Sequence, residues 1–165
     1  MSKKLFLLPA LLLGAFLVFT PACGDDDACK DVECGTNGAC FDGNCVCDDG
    51  YEIGTSGLCD TESRAKFYGN YNTSETCSTG NGSYSMGITA ASGTDVTQIS
   101  ISNFGDSGLA ATATVDGDDF TVASTTLPNG VTISGSGTIS GNTITLNYTG
   151  SGPVSFTCTA VMTRQ

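Results

Sequence analysis

Hydrophobic and polar residues alternate one by one through most of residues 67–165. Successive side chains of a β-strand point to opposite faces of the sheet, so this period of two predicts strands with one face in a core and one in water. The inward-facing residues of the clearest segments are Tyr84, Met86, Ile88 and Ala90; Leu109, Ala111, Ala113 and Val115; Ile144, Leu146 and Tyr148; and Val154, Phe156, Cys158, Ala160 and Met162.

Short turn sequences separate these segments and are tight enough for hairpins. They predict eight strands in up-and-down order with no helix. Eight strands is the number at which such a meander closes into a small barrel. The predicted fold is therefore all-β, an eight-stranded antiparallel barrel, with an antiparallel sandwich as the alternative. The turn sequences are Asn81-Gly82, Ser92-Gly93, Gly105-Asp106, Asp116-Gly117, Asn129-Gly130, Gly141-Asn142 and Gly150 to Gly152.

The start of the chain has a different pattern. Lys3 and Lys4 precede an apolar run from Leu5 to Phe19. A helix needs roughly 20 apolar residues to span a bilayer, and this run is shorter. Residues 1–22 are therefore predicted to be a secretory signal peptide, with a permanent membrane anchor as the alternative. No second apolar run follows, so no transmembrane helix is expected in the mature protein.

Cys23 closes this segment, with the small residue Ala22 before it. Its position resembles the lipobox of bacterial lipoproteins, although Thr20 and Pro21 depart from the usual pattern. The resemblance implies that Cys23 is acylated, for example with palmitate, and that acyl chains hold the protein to a membrane. The alternative is ordinary cleavage that leaves a free thiol.

Three aspartates, Asp25 to Asp27, follow in the predicted tether 23–28. This run resembles the acidic tag that sends some lipoproteins to the outer face of the outer membrane. The expected location is therefore the cell surface, and the alternative for the run is a solvated spacer.

The chain has nine cysteines, an odd number. An exported protein with an odd number leaves one cysteine unpaired. If Cys23 carries lipid, the remaining eight can form four disulfides in an oxidising compartment.

Residues 29–59 contain six of these cysteines in a stretch too short to bury a sufficient apolar core. Their spacing, with Asn37-Gly38 and Gly50-Tyr51, resembles an epidermal growth factor (EGF)-like domain. That family's pairing implies the disulfides Cys29–Cys40, Cys34–Cys45 and Cys47–Cys59.

Metal binding has little support in the sequence. The chain has no histidine, and an oxidising compartment favours disulfides over zinc thiolates. Some EGF-like domains bind calcium, but Ala28 stands where they carry an acidic or amide residue. Asp25, Asp27 and Asp42 are the weak calcium candidates, and no cofactor is predicted.

The net charge is −11, and residues 24–62 carry eleven acids against Lys30 alone. Nucleic-acid binding needs clustered Lys and Arg, so the composition excludes it as a main function. The same charge argues against electrostatic adhesion to anionic lipid, which leaves acyl chains as the attachment.

Residues 60–66 read as a polar hinge before the barrel, residues 67–165. Cys77 ends the first barrel strand and Cys158 lies in the last, so a bond between them requires the sheet to close. If the two are directly opposed, Tyr71 and Arg164 share the inward face side by side.

Gly69-Asn70-Tyr71 resembles the G-x-W motif of lipocalins, with tyrosine in place of tryptophan. In that family the aromatic residue packs against an arginine near the barrel end, a position that Arg164 would fill. The resemblance implies a small barrel able to hold a ligand.

No catalytic constellation is present, because the chain lacks histidine for a Ser-His or Cys-His pair. Glu75 shares the inward parity of Tyr71, so Tyr71, Glu75 and Arg164 are the possible ligand-binding residues, with Glu75 expected at a solvated rim. The small inward residues leave open whether the barrel has a cavity or flattens; these are Ala111, Ala113, Gly135 and Gly137.

We expect a non-catalytic surface lipoprotein that binds or adheres to an extracellular protein or glycan. The alternative is a carrier of a small apolar ligand inside the barrel.

Overall fold

The computed structural model describes residues 28–165. The predicted signal peptide, Cys23 and the acidic residues Asp25 to Asp27 therefore lie outside the described residues. Four short strands come first: β1 (Gly38–Phe41), β2 (Asn44–Cys47), β3 (Tyr51–Ile53) and β4 (Cys59–Glu62). Eight more follow: β5 (Gly69–Cys77), β6 (Gly80–Ala90), β7 (Gln98–Ser102), β8 (Ala111–Asp116), β9 (Asp119–Thr126), β10 (Thr132–Ser140), β11 (Thr143–Ser151) and β12 (Phe156–Arg164).

Strands β5 to β12 form a closed barrel in which each strand pairs antiparallel with the next, and β12 returns to pair with β5. This confirms the all-β prediction of an eight-stranded up-and-down barrel and rules out the sandwich alternative. At the seam Cys158 lies directly opposite Cys77, and Arg164 directly opposite Tyr71. Cys77 and Cys158 form a disulfide across it.

The inward faces of the barrel strands form one packed hydrophobic core. Burial alternates residue by residue along β8, β11 and β12, as the period of two predicts. Glycines accommodate the largest rings: a methyl group on Gly137 would lie 2.2 Å from Cζ of Phe120. Gly137 therefore makes room for the Phe120 ring, and the middle of the barrel is packed rather than hollow.

The amino-terminal module, residues 28–62, has two hairpins, β1–β2 and β3–β4. Its disulfides are Cys29–Cys40, Cys34–Cys45 and Cys47–Cys59, the pairs that the EGF-like resemblance implied. Only Cys34 and Cys59 among its hydrophobic residues are buried. Cross-links therefore supply the stability that a core supplies elsewhere.

The prediction that residues 60–66 form a polar hinge is wrong, because the segment is structured. Residues 60–62 belong to β4, and Ser63–Phe67 form a 3-10 helix whose Ser63, Arg64 and Phe67 are buried. Arg64 is held by the Glu62 carboxylate and donates to the carbonyls of Asp95 and Gln98. The polar composition of this segment indicated solvent exposure. Arg64 is buried instead, because its guanidinium group is hydrogen-bonded to backbone carbonyls of the barrel domain.

Lys66 also links the module to the barrel. Its Nζ lies 2.6 Å from the Glu52 carboxylate of the module and 2.8 Å from the Asp118 carboxylate of the β8–β9 turn. Burial lowers the pKa of Lys66, but the hydrogen bonds to Asp118 and Glu52 outweigh burial and leave the pKa raised. Lys66 is therefore a charged bridge between the two parts.

Two further expectations need correction. Phe104–Asp106 is a second 3-10 helix, so the prediction of no helix is wrong, although within residues 28–165 no helix is long and apolar enough to cross a bilayer. Asn81-Gly82 is not a turn but lies inside β6, because Cys77 pairs with Gly80 and the hairpin turns at residues 78–79. A turn at residues 78–79 and a turn at Asn81-Gly82 would bury the same face of β6, so alternation could not choose between these two registers.

Candidate functional site

The barrel has two different ends. The near end, next to the module, is formed by Phe67, the loop 91–97, the turns at 117–118 and 141–142, and Arg164. The far end is formed by the turn at 78–79 and the loops 103–110, 127–131 and 152–155. The residues predicted for ligand binding are divided between these ends.

Tyr71 and Arg164 close the near end. The Arg164 guanidinium carbon lies 5.6 Å from the Tyr71 ring centroid, and Nη2 donates to the Tyr71 hydroxyl at 3.0 Å and to the Lys66 carbonyl. The Tyr71 hydroxyl donates in turn to the Phe67 carbonyl at 2.7 Å. Tyr71 is fully buried. The predicted pair is thus brought together, and its polar groups hold the chain that enters the barrel.

Glu75 lies towards the far end and is only 8% exposed, so the expected solvated rim position is wrong. Its neighbours on the adjoining strands are the small residues Gly82 and Ala160. Its Oε1 accepts hydrogen bonds from the hydroxyls of Tyr84 at 2.7 Å and Tyr148 at 2.6 Å. The two phenols satisfy one oxygen of a buried carboxylate.

The electrostatics of the two phenols follow from this burial. Desolvation raises the pKa of Tyr84 and of Tyr148, and the hydrogen bond and negative charge of Glu75 raise both further. Both phenols therefore stay protonated and donate to the carboxylate. Among residues 28–165, Oε2 of Glu75 has no hydrogen-bond partner.

Glu75 lines a cavity of about 250 Å³ that opens at the far end. Aromatic rings form part of its wall: Phe104 and Tyr148 meet edge to face at 4.8 Å, and Tyr148 and Phe156 at 6.2 Å. Gly105 permits this arrangement, since a methyl group there would lie 2.8 Å from the Tyr148 hydroxyl. Leu127, Val131 and Ile133 complete the apolar wall, with Thr79, Ser107 and Asn129 as its polar members.

No predicted metal site is assembled within the described residues. Ligand atoms of Glu75, Cys77 and Cys158 lie within 4.8 Å of one another. The two sulfurs are bonded to each other, so neither is a thiolate ligand. Asp42 lies in the β1–β2 turn with φ 47°, while Asp25 and Asp27 are outside the described residues.

Sequence reasoning missed the site partners Tyr84, Tyr148, Phe104 and Phe156. Alternation did place Tyr84, Tyr148 and Phe156 on the inward face, which was the available signal. It could not join Tyr148 to Glu75, because β12 lies between their strands. Phe104 begins the short 3-10 helix Phe104–Asp106, whose position no strand periodicity predicts.

Comparison of the chain with protein-family models, with curated proteins and with solved structures found no match.

Proposed function

We propose that this protein is an exported, lipid-anchored surface protein that binds a ligand at the far end of its barrel and has no catalytic activity. Cys23 would carry the acyl chains and Asp25 to Asp27 would direct it to the cell surface. The EGF-like module would then act as the stalk of a lipocalin-like barrel.

The position of the cavity carries this proposal. The chain reaches the barrel from the module at the near end, and Arg64 and Lys66 hold the module there. The cavity with Glu75 opens at the opposite end. An anchor at the amino terminus would therefore leave this cavity facing away from the membrane.

The interior carrier of an apolar ligand fits the structure less well. Pockets for drug-sized ligands span about 300–1,000 Å³. The middle of this barrel is filled by side chains such as Phe120, Met86 and Leu146, all fully buried. Binding at the far-end cavity is thus favoured over carriage inside the barrel.

The attachment is tested by Cys23→Ser. We expect the variant to leave the membrane fraction and to lose acyl labelling, since no other anchor is proposed. A variant that stays in the membrane fraction with unchanged labelling contradicts the proposal.

Surface display is tested separately by replacing Asp25, Asp26 and Asp27 with alanine. The variant should remain acylated but become protected from protease added to intact cells. A periplasmic marker that stays uncleaved is the control for cell integrity. Unchanged cleavage would show that the acidic run is only a spacer.

A further inference from the structure

We propose that the far-end cavity binds a small alkylammonium cation, with Glu75 as its counter-ion and the rings of Phe104, Tyr148 and Phe156 against its alkyl groups. This inference names the ligand class for the binding site of the proposed function and rests on it.

The charge of Glu75 has no cationic partner among residues 28–165. The described ion pairs use Arg64 and Lys66, which lie at the junction with the module. The other two described cations are Lys30 in the module and Arg164 at the near end of the barrel. The carboxylate is hydrogen-bonded at Oε1, so what it lacks is an opposite charge. Two phenols occupy Oε1, so Oε2 is the atom left to meet a positive charge.

The lining selects an organic cation over a metal ion. Calcium takes six to eight oxygen ligands, whereas this cavity offers the carboxylate of Glu75 and otherwise few polar side chains. Aromatic faces attract ammonium groups through the ring quadrupole, and aromatic cages recognise methylated ammonium in this way. The aliphatic residues Leu127 and Val131 would cover the apolar surface of the same ligand.

The lining also disfavours neutral and anionic ligands. A neutral apolar molecule would cover the carboxylate and leave Oε2 without water or a partner, which costs free energy. An anion would be repelled by Glu75. A cavity of about 250 Å³ lies below the range for drug-sized ligands, so the part of the cation that it encloses must be small.

The test is calorimetric titration of the full chain, purified in a non-ionic detergent, with choline as the probe. The comparison compound is its neutral isostere, in which a tert-butyl group replaces the trimethylammonium group. We expect saturable binding of choline with a Kd on the order of 1 mM, and binding of the isostere at least about tenfold weaker. Equal binding of the two compounds, or no saturable binding of choline, would overturn the inference.

Variants locate the site. Glu75→Gln keeps the size of the side chain and removes its charge, so choline binding should weaken on the order of tenfold or more. Glu33→Gln makes the same chemical change on an exposed residue of the module and should leave binding unchanged. Phe156→Leu keeps the carboxylate and removes one ring, and should weaken choline binding several-fold. Near-ultraviolet circular dichroism checks that each variant is folded.

The two proposals fail separately. Unchanged binding in both Glu75→Gln and Phe156→Leu would overturn the cation site while leaving the result for Cys23 in place. If Cys23→Ser stays in the membrane fraction as the wild type does, the anchored function is contradicted, whatever the calorimetry shows.

Discussion

A few polar side chains decide the character of each barrel end. At the near end the Arg164 guanidinium and the Tyr71 hydroxyl bind backbone carbonyls of the entering chain. At the far end the hydroxyls of Tyr84 and Tyr148 converge on a single carboxylate oxygen. Removing the Glu75 carboxylate would leave both phenol hydroxyls without this acceptor, and an unsatisfied buried polar group typically costs about 1–3 kcal/mol.

The phenols of the far end predict a loss of stability at alkaline pH. Their pKa is raised in the folded state, so the unfolded chain releases protons that the folded chain retains. Stability is then complete below the ordinary tyrosine pKa of about 10 and falls as the pH rises above it. The free energy of unfolding in urea, measured from about pH 8 to about pH 12, should fall more steeply for the wild type than for the double variant Tyr84→Phe, Tyr148→Phe.

Tyr51→Phe, in the module, is the control and should keep the steep fall. Parallel curves for the wild type and the double variant would contradict the prediction, because they would mean that neither phenol titrates differently in the two states.

At the scale of the strands, two large aromatic side chains each lie opposite a glycine of the neighbouring strand. Phe120 of β9 lies opposite Gly137 of β10, and Phe156 of β12 lies opposite Gly150 of β11. In each pair a methyl group on the glycine would lie 2.1–2.2 Å from the nearest ring carbon. These glycines are required for space rather than for backbone conformation.

Gly137→Ala should therefore destabilise the barrel. The added methyl group must displace the buried Phe120 ring, and overpacking of this kind costs about 1–3 kcal/mol. Gly82→Ala is the matched control, since the nearest atom to its methyl group would be Cδ1 of Tyr84 at 3.9 Å. It should be neutral or slightly stabilising. Chemical denaturation measures both, and an equal effect of the two substitutions would show that the ring has room to move.

At the scale of the whole molecule, covalent and ionic links join parts that are distant in the chain. The disulfide Cys77–Cys158 ties the first barrel strand to the last over a sequence separation of 81 residues. Three disulfides hold the module within itself, and Arg64 and Lys66 fasten it to the near end. The barrel and the module are thus each cross-linked separately and meet through side-chain contacts.

Removing the seam disulfide by Cys77→Ala with Cys158→Ala should lower barrel stability strongly. In the chain-entropy model a closed loop of this length contributes on the order of 4 kcal/mol. Whole domains have roughly 5–15 kcal/mol in total. Denaturant unfolding followed by tyrosine fluorescence measures the loss. Cys29→Ala with Cys40→Ala removes a module disulfide instead and should leave the unfolding transition of the barrel unchanged. A small loss of barrel stability in the Cys77→Ala, Cys158→Ala variant would contradict the chain-entropy estimate.

The sequence by itself determined the fold class and the seam. Alternation with a period of two identifies strands because a buried face needs apolar residues at every second position. Residues an even number of positions apart on a strand share a face. Tyr71 and Arg164 each lie six residues from one of the opposed cysteines, Cys77 and Cys158, so their contact could be predicted from the disulfide. Both inferences use only the local geometry of strands.

Only the tertiary structure decided the candidate site and the junction. Tyr148 is 73 residues from Glu75 in the chain and lies on a strand that does not pair with β5, so their contact depends on the curvature of the closed barrel. Arg64 and Lys66 have the composition of a solvated linker, yet their charges are held by carbonyls and carboxylates from three separate segments. The strand pattern shows which face of the sheet a residue occupies. Which side chains meet across the interior depends on closure of the barrel, and all eight strands together determine that closure.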